Sequence, residues 1–317
     1  MSELPDHLSI GVVPLHAAPS ARVRGPWRRA LLRFHQQPVG VLALAVLLAF
    51  CVTGALADVL APYPAGWAII ELIQHPQPPL TAHHLLGTDA LGRDYLTQVL
   101  FAIRETTFSA LACAAMATAV GVLVGALAAE VAGWFDSLVT WVSGVVVAVP
   151  AMAVLVIVTV WSRFYPTPFE YALWLTAILW TGVARVIRAE VRSLRGREFV
   201  EAAYASGASR PRVLVRHLLP NASGQIIVAA TSIVGQAIVI VATVQYLGYA
   251  FNQPERPTLG GLVADATVAP SLILSGTLSL SDLWWLYTFP AVLLVLLLLA
   301  VTFVGDALDE ALNPTTS

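Results

Sequence analysis

The strongest constraint on this chain is a set of uncharged apolar runs, each long enough to cross a lipid bilayer. Val39–Ala57, Thr106–Ala129, Ser137–Trp161, Ser223–Gly248 and Leu283–Gly305 contain no Asp, Glu, Lys or Arg. A hydrocarbon core takes about 20 helical residues to cross. Inside it each segment must satisfy its own backbone polar groups, which favours the helix. A further run, Tyr171–Ala184, is short; it spans if Arg185 and Arg188 snorkel to one surface and Glu170 sits at the other. Pro150 interrupts the Ser137–Trp161 run and predicts a kink. The expected fold is an all-α membrane protein with six transmembrane helices. Composition agrees: 58% of residues are apolar, 11% are charged and the mean hydropathy is +0.77. A net charge of −2 gives no reason to expect a nucleic-acid partner.

The segments between the spans divide the chain. Residues 1–37 read as a tail ending in a short amphipathic helix. Its apolar side carries Trp27, Ala30, Leu31 and Phe34, and Arg28, Arg29 and Arg33 face water or lipid headgroups. Residues 38–61 hold the first span. Ala55-Leu56-Ala57 ahead of Asp58 mimics a signal-peptidase site, but the region before it is far too long, so the segment reads as a retained anchor. Residues 62–104 are proline-rich and read as an extracytoplasmic loop. Residues 105–309 form a five-helix core, and 310–317 a short acidic tail. Within the core, Ala266–Ser281 is mildly apolar but too short to span, and it reads as external or re-entrant.

All 17 basic residues are arginine. Five precede the first span and eight lie between the fourth and fifth. The positive-inside bias makes that side, with both termini, cytoplasmic. Cys51 and Cys113 lie in apolar runs without metal-ligand spacing and read as small buried hydrophobes.

Two polar stretches stand out against this apolar background. Residues 195–221 form an arginine-rich island that reads as helix, turn, helix. Phe199, Ala202, Ala203 and Ser206 share a small face at helical spacing. Gly207 sits where a left-handed C-cap costs least. Ser209 is placed to cap the second helix, with Pro211 in its first turn, and Pro220 disfavours α geometry at Leu219. A small face bordered by charge suits close docking against another protein better than catalysis. The second stretch is His84-Leu85-Leu86-Gly87-Thr88-Asp89-Ala90-Leu91-Gly92-Arg93-Asp94. Thr88 and Asp89 are placed to cap a turn, and Arg93 to pair with a carboxylate. Adjacent His83 and His84 point different ways, which favours a structural or solvated role over a metal site.

Both stretches resemble signatures of C-type permease subunits of dipeptide, oligopeptide and nickel ABC importers. Glu201, Ala202, Ala203, Gly207, Leu219 and Pro220 match the register of the EAA loop in that family. His217-Leu218-Leu219-Pro220-Asn221 is similar to the ending of its peptide-class members. Gly87, Thr88, Asp89, Gly92, Arg93 and Asp94 match the external motif after the first span. Gly133–Asp136 resembles a short cytoplasmic turn of the family, and Leu312-Asn313-Pro314 its closing residues. Two places depart from the pattern: Val241–Gly248 lacks the usual acid, and Pro257-Thr258-Leu259-Gly260 replaces Pro-x-Trp-Gly.

The resemblance implies a type I ABC importer permease fold in a prokaryotic inner membrane. It implies a second, homologous permease as heterodimer partner, and two ATPases or one fused ATPase bound at the EAA loops. An extracytoplasmic binding protein would deliver a peptide, a nickel chelate or a glutathione-like molecule. ATP and Mg²⁺ would sit on the ATPases, leaving this chain without cofactor, metal or catalytic residue.

Independently of any resemblance, a chain without lysine has no Walker A motif and no Schiff-base site. A stand-alone secondary transporter or an intramembrane enzyme is disfavoured, because no acid lies inside a span and no hydrolase motif is present. Candidate path residues are Ser143, Gln236 and Gln245, which stand at or near membrane depth. They either line a hydrophilic route or satisfy one another between packed helices. Glu201 either pairs with a docking partner or answers Arg197 one turn earlier on its own helix.

Overall fold

The computed structural model describes residues 26–66, 76–81, 83–161, 167–247, 255–272 and 280–312. The expected 1–25 tail and much of the expected loop around 67–75 lie outside them. Among the described residues the regular elements are all helices. The helices are α1 Pro26–Gln36, α2 Pro38–Ala55, α3 Ala57–Leu60, α4 Tyr95–Val131, α5 Gly133–Ala148, α6 Ala151–Trp161 and α7 Pro168–Arg195. They continue as α8 Glu198–Ala205, α9 Arg210–Val213, α10 Leu219–Asn221, α11 Ser223–Tyr246, α12 Leu259–Leu272 and α13 Trp284–Leu312.

Five of these, within α2, α4, α7, α11 and α13, are long and apolar enough to cross a membrane. α5 and α6 meet the same criterion only as a pair, bent by 78° at their break. The bend falls at Val149–Pro150, where the ring removes a backbone donor, as the sequence predicted. α4 begins at Tyr95, inside the segment expected to be loop. The physical reason is local: Asp94 takes an extended conformation and its carboxylate accepts the Thr97 N–H, so a cap starts the helix well before the apolar run. α7 begins the same way, with Thr167 and Glu170 forming a reciprocal capping box that lengthens the weakest span. α12, with 14 residues, is too short to cross and covers the first part of the ambiguous stretch; 273–279 lie outside the described residues. α13 runs on to Leu312, so the expected tail begins as helix.

α4 and α7 form the central pair. A Cβ on Gly121 would lie 2.5 Å from the Val183 Cβ, and one on Gly125 would lie 2.4 Å from the Ala184 carbonyl oxygen. The two glycines, four residues apart, let the backbones touch, which is how helices associate where lipid removes the hydrophobic driving force. Around this pair a continuous core includes Leu155, Leu175, Ile187, Ile238 and Leu297, all almost wholly buried. α1 packs beside the last turns of α13 through Phe34, Ala307 and Ala311.

Candidate functional site

Polar groups gather at two ends of this bundle and in one cleft. At the first end is the arginine-rich arm. α8 is pinned by Val200, and the following segment by Val213 and Leu218, all three with no exposed surface. The rest of α8 projects outward: Phe199, Glu201, Ala202, Tyr204 and Ser206 are exposed and Ala203 is half-buried. The turn is a Schellman motif. Ala208 N–H donates to the Ala203 carbonyl (3.1 Å), Gly207 N–H donates to that of Tyr204 (2.9 Å), and Gly207 has φ +82°. No atom lies within 4 Å of a Cβ built there, so glycine is required by backbone conformation and not by space. Among the described residues Glu201 makes no ion pair, with Arg197 or with any other residue.

Two local expectations for the arm need correction. Ser209 holds the N-cap position, but its side chain makes no capping bond. Leu219 stays α-helical (φ −61°, ψ −42°) despite Pro220. The missing proline N–H is absorbed upstream: Leu214–Leu218 widens into a π turn, and Leu219 N–H reaches back to the Leu214 carbonyl. The wider turn makes room for the ring, and the Asn221 amide donates to the His217 carbonyl (2.6 Å).

Behind the arm, the end of α7 is fastened to the α4–α5 corner. Arg188 and Arg192 both hold the Asp136 carboxylate, with Nη2 of each at 2.7 and 2.5 Å from Oδ2. Arg195 pairs with Glu130. These carboxylates are not adjacent to the arginines in sequence, and only the packing of α4 on α7 brings them together.

The opposite end is built from the 84–94 stretch, and here the polar groups turn inward. His84 Nδ1 lies 2.8 Å from Asp94 Oδ1, and both side chains are buried. Asp94 Oδ2 also accepts from the Thr97 N–H and hydroxyl, 2.8 Å each. Asp89 accepts the Leu91 and Arg93 N–H groups (2.9 and 2.8 Å) and pairs with the Arg93 side chain at 2.5 Å. Gly87 and Gly92 supply the positive φ that so tight a fold needs. The knot is stapled to the far end of the chain: Trp285 Nε1 donates to the Thr88 carbonyl (3.1 Å), and the Tyr95 hydroxyl donates to that of Leu286. Asp265 of α12 stands 3.8 Å from Arg93. Nearby, Arg104 reaches Asp58 (2.6 Å), and that hydrogen bond holds the Asp58 carboxyl below its ordinary value. Among the described residues no group of three or more metal-ligating side chains assembles.

The three candidate path residues separate. Ser143 is buried in α5, and its hydroxyl has no hydrogen-bond partner among the described residues. Gln245 is buried and accepts from the Thr258 hydroxyl (2.8 Å), so the two departures from the family pattern meet each other at the start of α12. Gln236 opens into a cleft of 610 Å³ between the α5–α6 break, α7 and α11. Gln225, Ser232, Thr181 and Arg185 share that cleft, and sequence reading had not grouped them. Polar residues of α11 at 225, 232 and 236 recur at helical spacing, a signal visible only once the helix's facing side is known.

The long apolar helices, one pair of them bent, and the exposed polar arm at one end define a helical bundle of the membrane-spanning class. The chain belongs to the family described as binding-protein-dependent transport system inner membrane component, whose model matches residues 121–317. Residues 25–79 match the N-terminal TM domain of oligopeptide transport permease C. The oligopeptide transport system permease protein OppC of Mycobacterium tuberculosis H37Rv is 33% identical over 291 residues, covering 91% of this chain and 95% of that relative. The proteins of the same name from Haemophilus influenzae and Bacillus subtilis are each 28% identical. They cover 92% and 91% of this chain and 89% of their own length. The chain is therefore an OppC-like permease component of an ABC importer, with the all-α fold expected of it.

Proposed function

We propose that this chain forms half of a peptide translocation path and that its 195–221 arm is the handle gripped by an ATPase. The observation that carries this reading is the contrast within α8. Val200 is driven into the core while Phe199, Glu201, Ala202 and Tyr204 stand in the open, on a helix closed by a Schellman turn. Such a helix is a stiff, shallow knob. Small Ala202 lets a partner approach closely, and unpaired Glu201 offers it a charge. Force on the knob would pass into α7, which the Asp136 and Glu130 pairs bind to the α4–α5 corner, so these elements move together.

In this reading the arginine-rich end and both termini are cytoplasmic, and the 84–94 knot faces outward beneath a substrate-binding protein. The working assembly contains a second permease and two ATPase subunits, or one fused ATPase. Those subunits hold ATP and Mg²⁺; this chain contributes no catalytic group. Peptide as cargo rests on the names of the relatives. Co-purification tests the reading: the native complex should contain Walker-motif ATPases, and Glu201→Arg should release them while the permease stays folded. Peptide uptake by this polypeptide alone in vesicles, without any ATPase, would refute it.

A further inference from the structure

Four arginines leave the last turns of α7, and three of them are engaged. Arg188 and Arg192 hold Asp136, and Arg195 holds Glu130. Arg185, one turn before Arg188, makes no hydrogen bond or ion pair among the described residues. Its side chain is exposed and lines the 610 Å³ cleft. Gln225 and Gln236 on the facing side of α11 line the same cleft, and their amides are likewise without a partner among the described residues. Ser232 and Thr181, by contrast, spend their hydroxyls on their own helices. One guanidinium on α7 and two primary amides on α11 are thus left uncommitted around a cleft otherwise lined largely by apolar side chains such as Val146, Ile178 and Val228. These three groups are what a polar occupant of the cleft would meet.

We propose that Arg185 receives the terminal carboxylate of a peptide in transit, while Gln225 and Gln236 meet its backbone amides. This deepens the peptide-permease reading above and rests on it. A carboxylate leaving water needs a cation to meet it, and a guanidinium can give it two parallel N–H donors. A glutamine amide offers both a donor and an acceptor, so it pairs with a peptide N–H or C=O whatever the side chain. Gln225 and Gln236 stand eleven positions apart on α11, on the order of 16 Å along its axis. That is the reach of about five extended residues. The result is a site that reads the end of a peptide and its main chain and tolerates its sequence.

The test uses the assembled transporter in nanodiscs, with penta-alanine and its C-terminal amide as probes. Binding is measured by calorimetry without the binding protein, so that delivery does not mask selection. The wild type should bind the free acid about tenfold more tightly than the amide, the order expected of one charge-assisted contact. Arg185→Gln should bring that ratio to near one, and Arg185→Lys should keep part of it. A wild-type ratio near one, or an undiminished ratio in Arg185→Gln, overturns the proposal. Loss of bound phosphatidylglycerol from Arg185→Gln with the ratio unchanged would give this arginine to a lipid phosphate instead. Failure of the wild-type transporter to take up either probe with its binding protein present would sink the peptide reading itself. Uptake of the probes together with a wild-type binding ratio near one would sink only the role of Arg185.

Discussion

The two polar ends of this bundle use similar residues in opposite ways. In the 84–94 knot, His84, Asp89, Arg93 and Asp94 are buried and answer one another, and Trp285 and Tyr95 tie the knot to the start of α13. In the 195–221 arm, Glu201, Arg197, Arg210, Arg212 and Arg216 are exposed and form no ion pairs among the described residues. A buried network is costly to break, because each partner left behind is an uncompensated charge or donor. An exposed, unpaired set is cheap to alter but free to meet something else. The comparison teaches that a polar motif between membrane spans is either a lock or a handle, and that burial tells which.

The largest effect should come from opening the lock. Asp94→Ala removes the His84 partner and the α4 cap together, and should cost about 3–5 kcal/mol. The measurement is folded yield and thermal unfolding in detergent, and an unfolding curve like that of the wild type would show the knot to be dispensable. Next is Gly125→Leu, which forces α4 from α7 and should cost about 1–3 kcal/mol by overpacking; limited proteolysis of α7 would report it.

Changes in the handle should behave differently. Gly207→Val places a β-branched residue at φ +82° with about 1–3 kcal/mol of local strain. It should abolish ATP-driven uptake while the amount of protein in the membrane stays nearly normal; uptake at the wild-type rate would separate the turn from coupling. Glu201→Arg, at an exposed position, should move stability by less than about 0.5 kcal/mol and still release the ATPase.

The smallest effect belongs to Asp58, on the edge of the knot's end of the bundle. The Arg104 hydrogen bond lowers its folded pKa, so the stabilisation is complete above the ordinary carboxylate value. It is lost as pH falls through the lowered one. Asp58→Asn should therefore lower stability above the ordinary carboxylate value, leave the acid end unchanged, and so flatten the slope between them.

Much of the fold was legible because membrane burial writes itself into runs of residues. The spans, the break at Pro150 and the left-handed turn at Gly207 each follow from local chemistry. The start of α4 was missed because a single capping carboxylate, and not hydropathy, sets it. The π turn before Pro220 was missed because two backbone solutions to a missing donor compete, and packing of Leu214 and Leu218 chooses between them. Gln236 was placed on a cleft and Gln245 and Ser143 were not, a distinction that rests on which side of each helix faces a neighbour.

The sequence by itself determined which segments are long and apolar enough to cross, where the chain bends and which segments are polar, since these depend on composition over a few turns of backbone. Tertiary structure decided who partners whom. It brought Asp136 to Arg188 and Trp285 to Thr88, and let Gly125 touch Ala184, while Arg185 was left facing open space. Those pairings join residues far apart in the chain, and only the close approach of packed helices sets which of many similar side chains come within bonding distance.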